Sequence, residues 1–142
     1  MLVLMDDPMS YFDCYLIPVP TAKLDAYKAF SQRMAVVYRE YGALRVIDCR
    51  LDSATSDGTH FHADGAQSEV QGEELRDFPA AAAARYGETV ILSWTEWRSK
   101  VERDAQLPQI LADPRVQPRD VEEMIFEGDR LIAGAFYKLL EC

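Results

Sequence analysis

Basic residues are scarce in this chain: 15 Lys and Arg stand against 24 Asp and Glu, a formal charge of −9. A cation-rich face for nucleic-acid phosphates is therefore missing, and no nucleic-acid partner is expected. Cysteine is limited to Cys14, Cys49 and Cys142, with no C-x-x-C spacing. That excludes a disulfide framework or cysteine zinc site and reads as the reduced thiols of a cytoplasmic protein. A cysteine in a strand is ordinarily a small core hydrophobe rather than a nucleophile. Histidine is rarer still: His60 and His62 are the only two, too few for a three-histidine catalytic metal centre. No apolar run approaches the ~20 residues of a membrane helix, so no membrane partner is expected. Met1-Leu2-Val3-Leu4-Met5 has no preceding base and is followed by Asp6 and Asp7, unlike a signal peptide. Glycine-rich phosphate loops, G-x-S-x-G, H-E-x-x-H and any visible Ser/His/Asp set are also missing, and no cofactor is expected.

What remains is a chain of 142 residues, 49% of them apolar, enough for a core and of a length that suits one domain. We read residues 1–8 as an N-terminal extension, with Met9 an alternative start, and 9–142 as a single domain. Tyr11-Phe12-Asp13-Cys14-Tyr15-Leu16-Ile17 reads as a strand closed by Pro18 and Pro20, which cannot donate to a ladder. Thr21 is placed to cap a helix whose stripe is Leu24, Tyr27, Phe30, Met34, Val37, Tyr38 and Tyr41, ending at Gly42. Ala43 to Leu51 is a second strand, with Leu44, Val46 and Asp48 on one side. Thr89 to Trp97 is the clearest strand. Ser99-Lys100-Val101-Glu102 is a capping box opening a second helix, with Val101, Leu107, Ile110 and Leu111 on its buried side. Pro108 is expected to kink or split that helix before Asp113-Pro114 ends it. Leu131 to Leu140 closes the chain as a strand.

The order is β-α-β, a long connection, then β-α-β: an α+β, ferredoxin-like βαββαβ fold, a four-stranded antiparallel sheet with two helices on one face. Such a sheet leaves its other face open, and an open face in water is mostly polar. Here Tyr11, Tyr15, Ile17, Ile91 and Trp97 fall on one side, while Phe12, Cys14, Leu16, Leu92 and Trp94 fall on the other. Apolar residues on both sides predict a homodimer that closes two sheets into a barrel.

The connection at about 53–77 is acidic: Asp48 to Asp77 holds eight acids against Arg50 and Arg76, so six of the nine excess negative charges lie there. A segment this long without helical or strand periodicity is functional or mobile. It contains Thr59-His60-Phe61-His62-Ala63-Asp64, whose imidazole and carboxylate donors suit zinc, nickel or iron. Two ligands do not make a site, and solvent-exposed histidines are the commoner outcome.

Polar residues inside apolar strands mark the candidate chemistry. Asp13, between Phe12 and Cys14, is a candidate general base whose pKa burial would raise. The commoner role for such a carboxylate is hydrogen bonding at a barrel rim. Ser93 is the second catalytic candidate. Tyr15, Trp94, Thr95 and Trp97 are candidate ligand contacts, set against ordinary cross-sheet hydrogen bonding and core packing. Lys138 reads as a solvated edge charge.

Six phrases in fixed order carry a family resemblance: Met9-Ser10-Tyr11-Phe12-Asp13, Leu16-Ile17-Pro18-Val19-Pro20, Tyr38-Arg39-Glu40-Tyr41-Gly42-Ala43-Leu44, Glu88-Thr89-Val90-Ile91-Leu92-Ser93-Trp94, Ala112-Asp113-Pro114-Arg115 and Arg130-Leu131-Ile132-Ala133-Gly134-Ala135-Phe136. From Met9 to about Leu140 the chain resembles the uncharacterised bacterial YbaA-like proteins, a domain of unknown function in the dimeric α+β barrel superfamily. It departs from them in a longer connection at 53–72 and in Pro108. The resemblance implies the barrel fold and the dimer, and brings no catalytic residue. The superfamily includes cofactor-free monooxygenases, degradative enzymes, haem-handling proteins and ligand-sensing domains, with ligands between sheet and helices or neighbouring loops. Fold does not fix function. Three functions follow as expectations: a barrel binding or transforming a small molecule, a non-enzymatic dimer docking a partner through its acidic connection, and a metal-binding segment at His60 and His62.

Overall fold

A computed structural model describes residues 9–53, 77–118 and 124–142. Four strands, β1 (Tyr11–Pro20), β2 (Arg45–Arg50), β3 (Glu88–Trp97) and β4 (Ile132–Tyr137), form one sheet in the order β2-β3-β1-β4. Every neighbouring pair is antiparallel. Helix α1 (Leu24–Glu40) links β1 to β2, α2 (Phe78–Ala81) is a single turn before β3, and α3 (Lys100–Ala112) follows β3. The protein is thus α+β, and its strand order is compatible with the ferredoxin-like arrangement.

Register decides what each face carries. Tyr11 pairs with Trp97 and Tyr137, Asp13 with Thr95, Tyr15 with Ser93, and Ile17 with Ile91. These side chains face α1 and α3: Tyr11 and Trp97 share one core cluster with Val37 of α1 and Ile110 of α3. A second cluster joins Ile17, Val19 and Ile91 to Tyr27 of α1. The alternate residues, Phe12, Cys14, Leu16, Leu92, Trp94, Ile132 and Phe136, occupy the face away from the helices. Leu92, Trp94, Ile132 and Phe136 are 37–57% exposed there.

Several local expectations are corrected. Pro18 and Pro20 do not end the first strand; they continue its ladder opposite Val90 and Glu88. The pairing with β4 stops at Leu16, so beyond it β1 has a partner on one side only, and proline is tolerated as on an edge strand. Pro108 does not split α3, which is continuous through it. The carbonyl it leaves without its usual donor belongs to Asp104, an exposed residue. Val101 and Leu111, assigned to the buried side, are 78% and 58% exposed, while Ile110 is fully buried. Thr21 makes no capping bond; it opens a short 3₁₀ turn and donates its backbone N–H to Gly87. β4 is shorter than the expected 131–140. The capping role of Ser99 holds, its hydroxyl accepting from the Glu102 N–H at 3.2 Å. Gly42 follows α1 with φ +112°, a left-handed conformation that favours glycine.

Candidate functional site: a carboxylate in an aromatic cavity

Between α1 and the sheet lies a cavity of about 310 Å³. Its wall draws on both core clusters, with Tyr15, Ser93 and Thr95 below and Tyr27, Ser31 and Tyr38 above. Those α1 residues share one side of the helix because they are spaced by four and seven, about one and two turns. From the sheet, β2 contributes Asp48, which lies directly opposite Ser93.

Asp48 is the chemical centre of this space. Its Oδ2 accepts from the Tyr27 hydroxyl at 2.9 Å and from the Ser31 hydroxyl at 2.6 Å. Its Oδ1 is closed off from solvent and accepts no hydrogen bond. Burial, and then the Asp48 charge it faces, push the Tyr27 phenol far above its ordinary pKa, so it remains a donor; the Ser93 hydroxyl pulls weakly the other way. Burial, with Asp13 adding, pushes Tyr15 up to about 12. Tyr38 is raised for the same two reasons, burial first. All three phenols are therefore neutral hydroxyls at physiological pH. The arrangement offers one carboxylate acceptor and several hydroxyls in an otherwise apolar, partly open cleft, the usual make-up of a small-molecule site.

The residues singled out from sequence divide between this cavity and other places. Tyr15, Ser93 and Thr95 line it. Asp13 does not: Arg103 of α3 grips it with two hydrogen bonds, Nη2 to Oδ1 at 2.7 Å and Nε to Oδ2 at 3.1 Å, and Trp97 Nε1 donates to Oδ2 at 3.1 Å. With both oxygens engaged by a permanent cation and an indole, Asp13 is placed as a clamp between β1, β3 and α3. Trp97 is fully buried beside it. Trp94 lies on the opposite face, against Phe12 at a ring-centroid distance of 5.7 Å. His60 and His62, like most of the acidic connection, lie outside the described residues. Among the described residues no group of three His, Cys, Asp or Glu is placed to hold a metal, and no helix is long and apolar enough to cross a membrane. The Cys14 thiol is raised by burial, with Asp13 adding, which disfavours a reactive thiolate.

Asp48 is the residue that sequence reasoning passed over as a site. The signal was present: Asp48 sits between Ile47 and Cys49 as Asp13 sits between Phe12 and Cys14. The open face is the other large concavity, an apolar trough of about 920 Å³ crossed by the Arg45–Glu96 ion pair at 2.7 Å. Its lining is chiefly apolar side chains, with Lys138 and Glu141 at its rim.

Residues 10–128 match the family model described as a protein of unknown function (DUF1428). The chain belongs to that family. Over 133 residues it is 32% identical to the uncharacterized protein YbaA of Escherichia coli K12, covering 94% of this chain and 99% of that protein. The YbaA proteins of Escherichia coli O157:H7 and Shigella flexneri match with the same identity and coverage. This is the YbaA-like family of unknown function that the six ordered phrases pointed to, so the functional reading has to come from the site.

Proposed function

We propose that the protein is a homodimer of the dimeric α+β barrel type whose subunits each bind a small molecule in the cavity between α1 and the sheet. The observation that carries the ligand reading is the convergence of Asp48, Tyr27, Ser31, Ser93 and Tyr15 on one partly open, aromatic-walled space. Polar groups gathered in a core without filling it are costly unless something uses them. Three free thiols, Cys14, Cys49 and Cys142, fit a reducing cytoplasm.

The dimer reading is supported by the trough on the other face. A second copy is its occupant: an isologous partner meets the same patch, and this patch carries both a base and an acid, Arg45 and Glu96, amid Leu92, Trp94 and Phe136. Covering such a face removes about 25 cal/mol from the unfavourable exposure of each apolar Å². Sedimentation velocity at micromolar concentration is expected to give twice the chain mass, with Trp94→Lys shifting it to the monomer; a monomeric wild type contradicts the dimer.

The ligand reading is tested by thermal-shift screening of metabolites against wild type and Ala35→Phe, which fills the cavity from α1. Compounds that stabilise wild type are expected to lose their effect in the variant, and equal stabilisation of both proteins contradicts the site.

A further inference from the structure

We propose that the ligand of this cavity is an organic cation: a compact, mainly apolar molecule with one ammonium group, held by Asp48 and the aromatic rings around it. The inference rests on the reading of the cavity as a binding site and names the chemical class it takes. Its first support is a contrast between the half-buried Asp48 and the carboxylates with the least exposed side chains. Asp13, Glu88, Glu96 and Asp113 have side chains no more than 11% exposed, and each is paired with an arginine: Arg103, Arg130, Arg45 and Arg115. Asp48 is held by two neutral hydroxyls instead. Among the described residues none of the ion pairs includes it, and no lysine, arginine or histidine lines its cavity.

Asp48 is half-buried, with Oδ1 closed off from solvent, and a carboxylate partly withdrawn from water with no cation beside it carries a desolvation cost that a bound cation offsets. Oδ1, sealed and accepting nothing, is the oxygen with bonding capacity left. The last torsion of an aspartate is broad, so a modest turn of the carboxylate presents it to a ligand. The second support is the wall. Tyr27, Phe30 and Phe126 form a cluster with ring centroids 5.9–6.2 Å apart, and Tyr15 and Tyr38 add two more rings. Aromatic faces attract ammonium groups and accept apolar bodies equally well. An anionic ligand would meet Asp48 as a like charge, and among the described residues the base beside this wall, Arg33, stacks on Phe30 without lining the cavity. The volume, about 310 Å³, is at the small end of ligand pockets and limits the molecule to a compact one.

Three probes that share a phenyl ring and differ in charge test this: 2-phenylethylamine, 2-phenylethanol and 3-phenylpropanoate. Each is titrated into the full-length protein and followed by amide NMR. The amine is expected to shift the amides of residues 27–35 and 46–48 and to bind about tenfold more tightly than the alcohol, with no binding by the propanoate. Asp48→Asn is expected to abolish the preference for the amine while leaving the alcohol's affinity unchanged. If the alcohol or the propanoate binds wild type as tightly as the amine, the cation assignment falls and the cavity stands as a site. If none of the three shifts those amides, the cavity reading itself falls. The wild-type ranking decides the matter even where the variant does not fold.

Discussion

Asp13 and Asp48 stand on the same side of the same sheet, flanking β3: one lies opposite Thr95 and the other opposite Ser93, two residues along. Both are single carboxylates set among apolar strand neighbours. The helix above each makes the difference. α3 delivers Arg103 to Asp13 in a two-pronged ion pair, and Trp97 completes its shell. α1 delivers only the hydroxyls of Tyr27 and Ser31 to Asp48, and leaves a cavity beside it. One carboxylate is electrically closed and fastens elements together; the other has no cation beside it among the described residues, which is why we propose it as the ligand's anchor. A charged residue in an apolar strand thus identifies a place where something must compensate it, and the opposing element decides whether the protein or a ligand does so.

The largest expected effect comes from opening the closed end. Arg103→Ala leaves Asp13 buried without its cation and is expected to lower stability by about 3 kcal/mol in urea unfolding. A loss within about 0.5 kcal/mol would show that Asp13 needs no partner, erasing the contrast. An intermediate effect belongs to another arginine-paired acid. Arg130 donates to both oxygens of Glu88 at 2.8 Å, which chiefly through that bonding lowers the Glu88 carboxyl from 4.5 to about 2. Because the folded value lies below the unfolded one, the stabilisation is complete above about pH 4.5 and is lost as pH falls toward 2. Arg130→Met should therefore flatten the pH dependence of stability between those limits, and an unchanged slope would assign the acid sensitivity elsewhere. The smallest effect is expected at the open end. Asp48→Asn keeps an oxygen to accept from Tyr27 and Ser31 and breaks no ion pair, so stability should change by no more than about 1 kcal/mol. A loss comparable to that of Arg103→Ala would make Asp48 structural.

These contrasts also mark where sequence reasoning reaches. Alternation along β1 and β3 was enough to sort Tyr11, Tyr15 and Ile17 from Phe12, Cys14 and Leu16, because a period of two is a local property. The outcome at Pro18 and Pro20 was not local: it depends on how far β4 accompanies β1, which pairing alone determines. Pro108 was tolerated on an exposed stretch of α3, where the carbonyl it strands belongs to the exposed Asp104. The same limit explains the site. Tyr15, Ser93 and Thr95 were legible as polar or amphipathic positions on one strand face, and they do line the cavity. That Asp13 is neutralised and Asp48 is not depends on Arg103, 90 residues along the chain from Asp13, and on which helix lies over which strand.

The most direct test is a crystal structure of the protein soaked with 2-phenylethylamine. The bound nitrogen is expected within about 3 Å of an Asp48 carboxylate oxygen, with the ring among Tyr27, Phe30 and Phe126. An amine seated only on the open face, or in the cavity with its nitrogen turned away from Asp48, would contradict the account.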